Sequence, residues 1–360
     1  MRLVTLEEIR AAQRRLAGVA VRTGLYCVEP ERLRAAGVGD LPFELYVKAE
    51  SEQPIGSFKL RGAYNRIAQL APDELGRGAI TYSSGNHAQG VAYAARTLGA
   101  KAVIVMPDNA PEVKIAATRA LGAEVVFVGP ASSERKAKAE ELAAAHGYAV
   151  IPPYDDPAII AGQGTCGLEI LEQLGVVPAP SDGARQKSPG RGGDVVILSP
   201  VSGGGLLGGI STAVKLAAGD AGVRREAIQV WGAEPELAAD AKESFDTKTL
   251  VEWTAAQTTR TISDGLRTQS LGRLNFEHIL RFVDGIVTVS EAEILAAMRV
   301  MLAATGLVAE PSGAVTMAAA LYHHAELPQC DRIVAVLSGG NIEPELRERL
   351  DADHERPLRV

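Results

Sequence analysis

From residue 44 onward, short runs rich in Val, Ile and Ala alternate with longer stretches in which apolar residues recur every three or four positions. Gly, Pro or Ser marks each changeover. The pattern predicts strands over 44–50, 79–82, 102–106, 124–128, 195–199, 228–233, 285–289 and 332–337. Helices are predicted over 58–70, 86–98, 111–121, 133–145, 157–174, 204–216, 292–304 and 312–323. Runs such as Val195-Val-Ile-Leu198 are apolar throughout, as strands covered on both faces should be. Strands and helices alternating in this way build mostly parallel sheets flanked by helices, an α/β fold. The segment 177–193, rich in Pro, Gly and charge and without period, reads as a solvated surface loop.

Composition narrows the classes. The 360 residues are 46% hydrophobic and 22% charged, enough apolar material for one or two cores. With only 4% aromatic residues, those cores must be filled by Ala, Val, Ile and Leu. The net charge of -7 argues against nucleic acid as a partner. The most apolar stretch, 294–309, is interrupted by Arg299, and charges recur every few residues at the N-terminus, so neither a membrane span nor a signal peptide is expected. That reading implies a cytoplasmic protein. Cys27, Cys166 and Cys330 lie far apart and are expected as buried thiols, outside any disulfide or zinc site. The charged tail after Asn341 is too short for a regulatory domain.

Four motifs carry candidate chemistry. Gly203-Gly-Gly205-Leu-Leu-Gly208 follows a predicted strand and opens a helix, the context that offers backbone N–H groups to a phosphate. A tight turn is the plainer alternative, and with Glu234 holding a ribose the same motif would fit a NAD-dependent dehydrogenase. A second match, Gly162-Gln-Gly164-Thr-Cys-Gly167, follows no strand and is read as helix packing. Lys59 falls in the first turn of a helix between Phe58 and Leu60, where the dipole disfavours a cation. It is either a snorkelling lysine or an amine held near neutrality, as a Schiff-base nucleophile must be. Tyr82-Ser83-Ser84-Gly85-Asn86-His87 begins a helix with more small polar groups than a cap needs, an arrangement suited to a carboxylate. Leu337-Ser338-Gly339-Gly340-Asn341 ends the last strand, where ligands of parallel sheets bind, although a turn explains it as well.

In their order Ser57-Phe58-Lys59-Leu60-Arg61-Gly62-Ala63, Ser83 to His87, Ser202 to Gly205 and Ser338 to Asn341, these pieces resemble the fold type II pyridoxal-phosphate enzymes. Within that group the chain is similar to the threonine and serine dehydratase and serine racemase family. The resemblance implies a tryptophan synthase β-like architecture of two domains with parallel twisted sheets. Residues 1–55 and 152–360 would form the large cofactor-binding domain, and 56–151 a small inserted one, with the active site in the cleft. It implies that Lys59 holds pyridoxal 5'-phosphate as a Schiff base and later takes the α-proton. Phe58 would lie against the ring, Asn86 would bond the 3-hydroxyl, and Ser202, Gly203, Gly204, Gly205 and Leu206 would wrap the phosphate. Ser338 would face the pyridine nitrogen, and a hydroxyl there favours loss of a β-hydroxyl over reactions that need a long-lived carbanion. Ser83, Ser84, Asn86 and His87 would receive the substrate.

The implied activity is dehydration and deamination of L-threonine or L-serine to a 2-oxo acid and ammonia, by a homodimer. Two details tilt toward the serine racemases and 3-hydroxyaspartate dehydratases. Ser84 occupies the position where many dehydratases carry Ala, on the face opposite Lys59. The stretch Glu234-Pro-Glu-Leu-Ala-Ala-Asp240 is similar to the racemase group's metal site, with Glu234, the Ala238 carbonyl and Asp240 as ligands. Oxygen ligands suit Mg²⁺, Mn²⁺ or Ca²⁺, while two solvated carboxylates near a helix start are the plainer reading. Ile55 stands where the family commonly has threonine, so no effector nucleotide is assigned to that loop.

Overall fold

A computed structural model describes residues 2–129, 132–179 and 193–353. The strands within them are β1 Leu25–Cys27, β2 Glu44–Ala49, β3 Ala79–Tyr82, β4 Ala102–Pro107, β5 Glu124–Val128, β6 Ala149–Val150, β7 Val195–Pro200, β8 Ile228–Pro235, β9 Gly285–Val289 and β10 Arg332–Leu337. They form a six-stranded sheet in the order β1-β2-β10-β7-β8-β9 and a four-stranded sheet in the order β5-β4-β3-β6. Every pairing is parallel except β1 with β2. The α/β class with parallel sheets flanked by helices is as expected.

Alternate residues of β7 and β10 enter opposite cores. Val195, Ile197, Val334 and Val336 pack on one face, Val196, Leu198, Ile333 and Ala335 on the other. Burial on both faces is why these strands read as unbroken apolar runs. The small sheet repeats the arrangement, with Ala79 and Ile104 on one side and Ile80 and Val103 on the other.

β1, β6 and several helices went unpredicted, among them Leu6–Leu16 and Arg273–Phe282. The first carries a legible capping box, Thr5 with Glu8. The unpredicted strand β1 also corrects the reading of the cysteines. Cys166 is buried, but Cys330 is half-buried and Cys27 is exposed because it sits on the antiparallel edge strand. The expected loop 177–193 lies largely outside the described residues. Gly162, Gly164 and Gly167 lie in the helix Pro157–Gln173, where a side chain would overlap Arg61, Gly209 or Ile210. They are packing glycines, as read.

One buried charge cluster anchors the helix that begins with Lys59. The Arg61 guanidinium donates to Glu50 at 2.7 Å and to Glu169 at 2.7 Å, and Lys48 donates to Glu169 at 2.7 Å. Burial alone would raise the Glu50 carboxyl, yet Arg61 outweighs it and holds it at about 2.

Candidate active site

The loop before Lys59 is stitched to the end of β10. Ser57 forms an isolated antiparallel bridge with Gly339, the Phe58 N–H donates to the Ser338 carbonyl at 3.0 Å, and the Gly340 N–H donates to the Gly56 carbonyl at 2.9 Å. Gly56 adopts φ 72°, and a side chain there would overlap Asn341. Lys59 opens the helix Lys59–Ile67 with no capping side chain. Its Nζ donates to the Pro153 carbonyl at 2.9 Å and lies 5.2 Å from the Phe58 ring centre. Surrounding protein pushes this amine down to about 8, against the pull of Glu310.

Asn86 lies beside this junction. Its Nδ2 donates to Glu310 Oε1 at 2.7 Å, and its Oδ1 accepts from Asn341 Nδ2 at 2.7 Å. Burial, with Asp264 nearby, raises the Glu310 carboxyl to about 8. Ser83 and Ser84 are half-buried at the C-terminal end of β3, and Ser83 Oγ accepts from the Gly85 N–H at 3.3 Å. His87 faces inward instead. It is 3% exposed, its Nε2 lies 3.0 Å from the Ile151 carbonyl, and burial together with Lys59 pushes its pKa down to about 3. The ring is neutral, so Nε2 carries the proton to Ile151 and is not available to a substrate.

Ser202 to Leu206 form a turn into the sixteen-residue helix Gly205–Asp220, which has no side-chain cap. Gly204 sits at φ 87°, and a Cβ there would meet Ile279 and Leu271 at 2.9 Å. A side chain at Gly203 would overlap the Tyr154 ring. The loop is held from behind: Asn275 Nδ2 donates to the Gly203 carbonyl at 2.6 Å and Ser202 Oγ to the Gly265 carbonyl at 3.0 Å. Asp155 in turn accepts from the Leu274 N–H at 2.9 Å, capping the helix that carries Asn275. Uncapped first-turn N–H groups beside glycines too crowded for any Cβ make an anion cradle. Tyr154, next to Pro153, joins this cradle to Lys59. Ser338 is 3% exposed, its Oγ at a long 3.5 Å from the Ser312 carbonyl.

Residues 26–339 match the sequence pattern of the family described as "Pyridoxal-phosphate dependent enzyme". The chain belongs to that family. It is 37% identical over 301 residues to the L-threo-3-hydroxyaspartate ammonia-lyase of Saccharomyces cerevisiae, covering 83% of each chain. It is 34% identical over 343 residues to the serine racemase of Schizosaccharomyces pombe, covering 95% of this chain and 96% of that one. Among solved structures it is similar to a threonine deaminase from the organism abbreviated T.th., with 42% identity, TM-score 0.80, and 94% of this chain and 99% of that one covered. The recognised fold type II enzymes are thus its relatives. The family's cofactor is pyridoxal phosphate, and an uncapped phosphate cradle, a lysine held near neutrality and a hydroxyl at the end of β10 fit that group.

Glu234 lies near the end of β8 and Asp240 opens the helix Asp240–Thr247 that follows, close enough for its charge to be felt by Tyr154 of the cradle. Glu234 is 1% exposed and accepts the Lys242 N–H at 2.9 Å. Asp240 is fully buried, and neither carboxyl oxygen has a partner among the described residues. Burial raises Asp240 to about 7 and, together with Asp240's charge, raises Glu234 well above the carboxylate range. Two buried acids without a counterion suit a hard cation. The solvated-carboxylate alternative does not hold, and Glu234 is too deep to bind a ribose. Among the described residues no three acidic, His or Cys side chains cluster as a metal site, so the remaining ligands would be the Ala238 carbonyl and water. No described helix is long and apolar enough to cross a membrane.

Glu310, Tyr154, Asn275 and Asp155 went unread in the sequence. Glu310 precedes Pro311 at a helix start, where an acid reads as an ordinary dipole partner. The other three act across about fifty residues of chain or more, with no local signal.

Proposed function

We propose that the protein dehydrates and deaminates L-threonine or L-serine to a 2-oxo acid and ammonia, with the small domain spanning 56–151. The observation that carries this reading is Lys59: a half-buried amine on an uncapped helix start, joined through Phe58 to the Ser338 strand end. When bound, pyridoxal phosphate supplies an electron sink that acidifies the α C–H of an amino acid joined to it. Lys59 Nζ takes that proton, and its lowered affinity for protons suits a base working near neutral pH. The Pro153 carbonyl holds the amine in place between proton transfers.

Backbone N–H groups at Ser83 to Asn86 bind the substrate carboxylate, and Ser202 to Leu206 hold the phosphate. Asn86 donates to the phenolic oxygen. Ser338 would hold the pyridine end of the cofactor with a neutral hydroxyl, which cannot keep a ring nitrogen protonated as a carboxylate would, a setting that favours departure of the β-hydroxyl as water. The released enamine regains one water as it hydrolyses to the oxo acid and ammonia. Glu234, the Ala238 carbonyl and Asp240 would hold a divalent cation, which would supply the positive charge that the two buried acids lack.

Ser84 favours a second reading, serine racemase or 3-hydroxyaspartate dehydratase activity. Its hydroxyl would deliver a proton to the face opposite Lys59. The test is Ser84→Ala assayed with L-threonine, L-serine and D-serine. Loss of L/D interconversion and of D-serine elimination by about 10²–10⁴-fold, with L-elimination retained, is expected if Ser84 is the acid. Equal loss of all reactions, mainly through KM, leaves Ser84 as a carboxylate-binding residue and a plain dehydratase. No oxo acid from L-threonine or L-serine overturns the main reading.

A further inference from the structure

The Asn86 carboxamide is held on both sides. Asn341 Nδ2 donates to the Ile55 carbonyl at 2.8 Å and to Asn86 Oδ1 at 2.7 Å, and Asn86 Nδ2 donates to Glu310 Oε1 at 2.7 Å. The Ile55 carbonyl can only accept, so Asn341 must present its NH₂ there and Asn86 must turn its oxygen toward Asn341. That leaves the Asn86 NH₂ facing Glu310, which uses one of its two hydrogens. Glu310 is itself anchored, since its N–H donates to the Gly339 carbonyl at 3.1 Å and its carboxyl crowds the space where a Gly339 side chain would stand. It is 6% exposed, and its charge is felt by Lys59.

We infer that Glu310 is a positioning residue for cofactor binding: it locks the Asn86 carboxamide so that one N–H is committed to it and the other is left for the cofactor's phenolic oxygen. This rests on the reading of Asn86 as the donor to that oxygen. Without Glu310 the amide would be pinned on one side only, by Asn341, and would lose both its fixed plane and an acceptor for a half-buried N–H. An N–H deprived of its acceptor away from bulk water is costly, and part of that cost would be relieved by turning away from the cofactor.

The experiment is a double-mutant cycle read by fluorescence titration of the apoproteins with pyridoxal 5'-phosphate, which needs no turnover. Glu310→Ala is expected to weaken cofactor affinity by about 10–100-fold. Glu310→Gln, which keeps an oxygen acceptor, should restore most of it. In an Asn86→Ala background, Glu310→Ala should have little further effect, because residues that act through one another are not additive. Additive losses, or a Gln variant as weak as the Ala variant, overturn the inference while leaving the Asn86 reading intact. An Asn86→Ala protein with unchanged affinity overturns that reading and the inference together. Urea midpoints of the apoproteins, expected to stay close to wild type for Glu310→Gln, separate lost positioning from lost folding.

Discussion

Lys59 Nζ and the carbonyl of Pro153 are 2.9 Å apart, so the amine that begins one helix is held by the segment that leads into a helix far along the chain, Pro157–Gln173. The contact places the amine beside Tyr154 and hence beside the phosphate cradle. Lys59→Ala should remove the visible absorbance of the lysine-bound cofactor and nearly all elimination. A variant that kept both would sink the assignment.

The same amine sets a pH dependence. Its value in the folded protein is about 8, below the ordinary 10.5, and only the neutral form condenses with an aldehyde. Cofactor uptake by the apoprotein should therefore quicken as pH rises and level off above about 8. The linked stability has the matching sign: between about 8 and 10.5 the unfolded chain holds more protons, so the apoprotein gains stability from this group as pH rises. Stopped-flow uptake rates that fall over pH 7–9 would contradict it.

Gly204→Ala forces an L-residue into the left-handed region and against Ile279 and Leu271. The backbone conformation alone should cost roughly 1–2 kcal/mol. Urea unfolding should show at least that loss, and equilibrium dialysis should show weaker binding of pyridoxal phosphate. Unchanged cofactor affinity would place the phosphate elsewhere.

Arg61 is 1% exposed and bridges Glu50 and Glu169, with Lys48 as the second cation of the cluster. Arg61→Ala leaves buried carboxylates with Lys48 as the remaining cation in the cluster, and should cost about 3–5 kcal/mol. A calorimetric or urea measurement showing a loss below 1 kcal/mol would mean that water enters the cluster.

EDTA should lower activity or thermal stability, and Mg²⁺, Mn²⁺ or Ca²⁺ should restore them. At a hundred times its dissociation constant a cation adds about 2.7 kcal/mol. Asp240→Asn should abolish this response, and in EDTA it should be no less stable than wild type, because it removes a buried acid whose carboxyl oxygens have no partner among the described residues. A response to cation that survives in Asp240→Asn would rule out the site.

The strands and the motif helices were legible because period and punctuation are local. β3, β5, β9 and β10 have the very bounds that pattern predicts, since each is a short run dominated by Val, Ile, Leu and Ala and followed by Gly, Ser or another polar residue. Lys59, Ser84, Asn86 and Ser338 stood out as candidates for a related reason: each stands at a strand end or helix start, where local rules ask for a small residue or a cap and the motif offers more than that, while Ser202 entered only through the resemblance. Glu310, Tyr154, Asn275 and the Arg61 cluster could be found only in three dimensions. A carboxylate, a phenol or an amide has the same appearance in a sequence whether it faces water or another side chain, and its chemistry is set by partners brought close through the parallel crossovers. Tertiary structure likewise decided that His87 is spent on Ile151 and that Asp240 is buried without a counterion, because burial is a property of the assembled layers and not of any short stretch of chain.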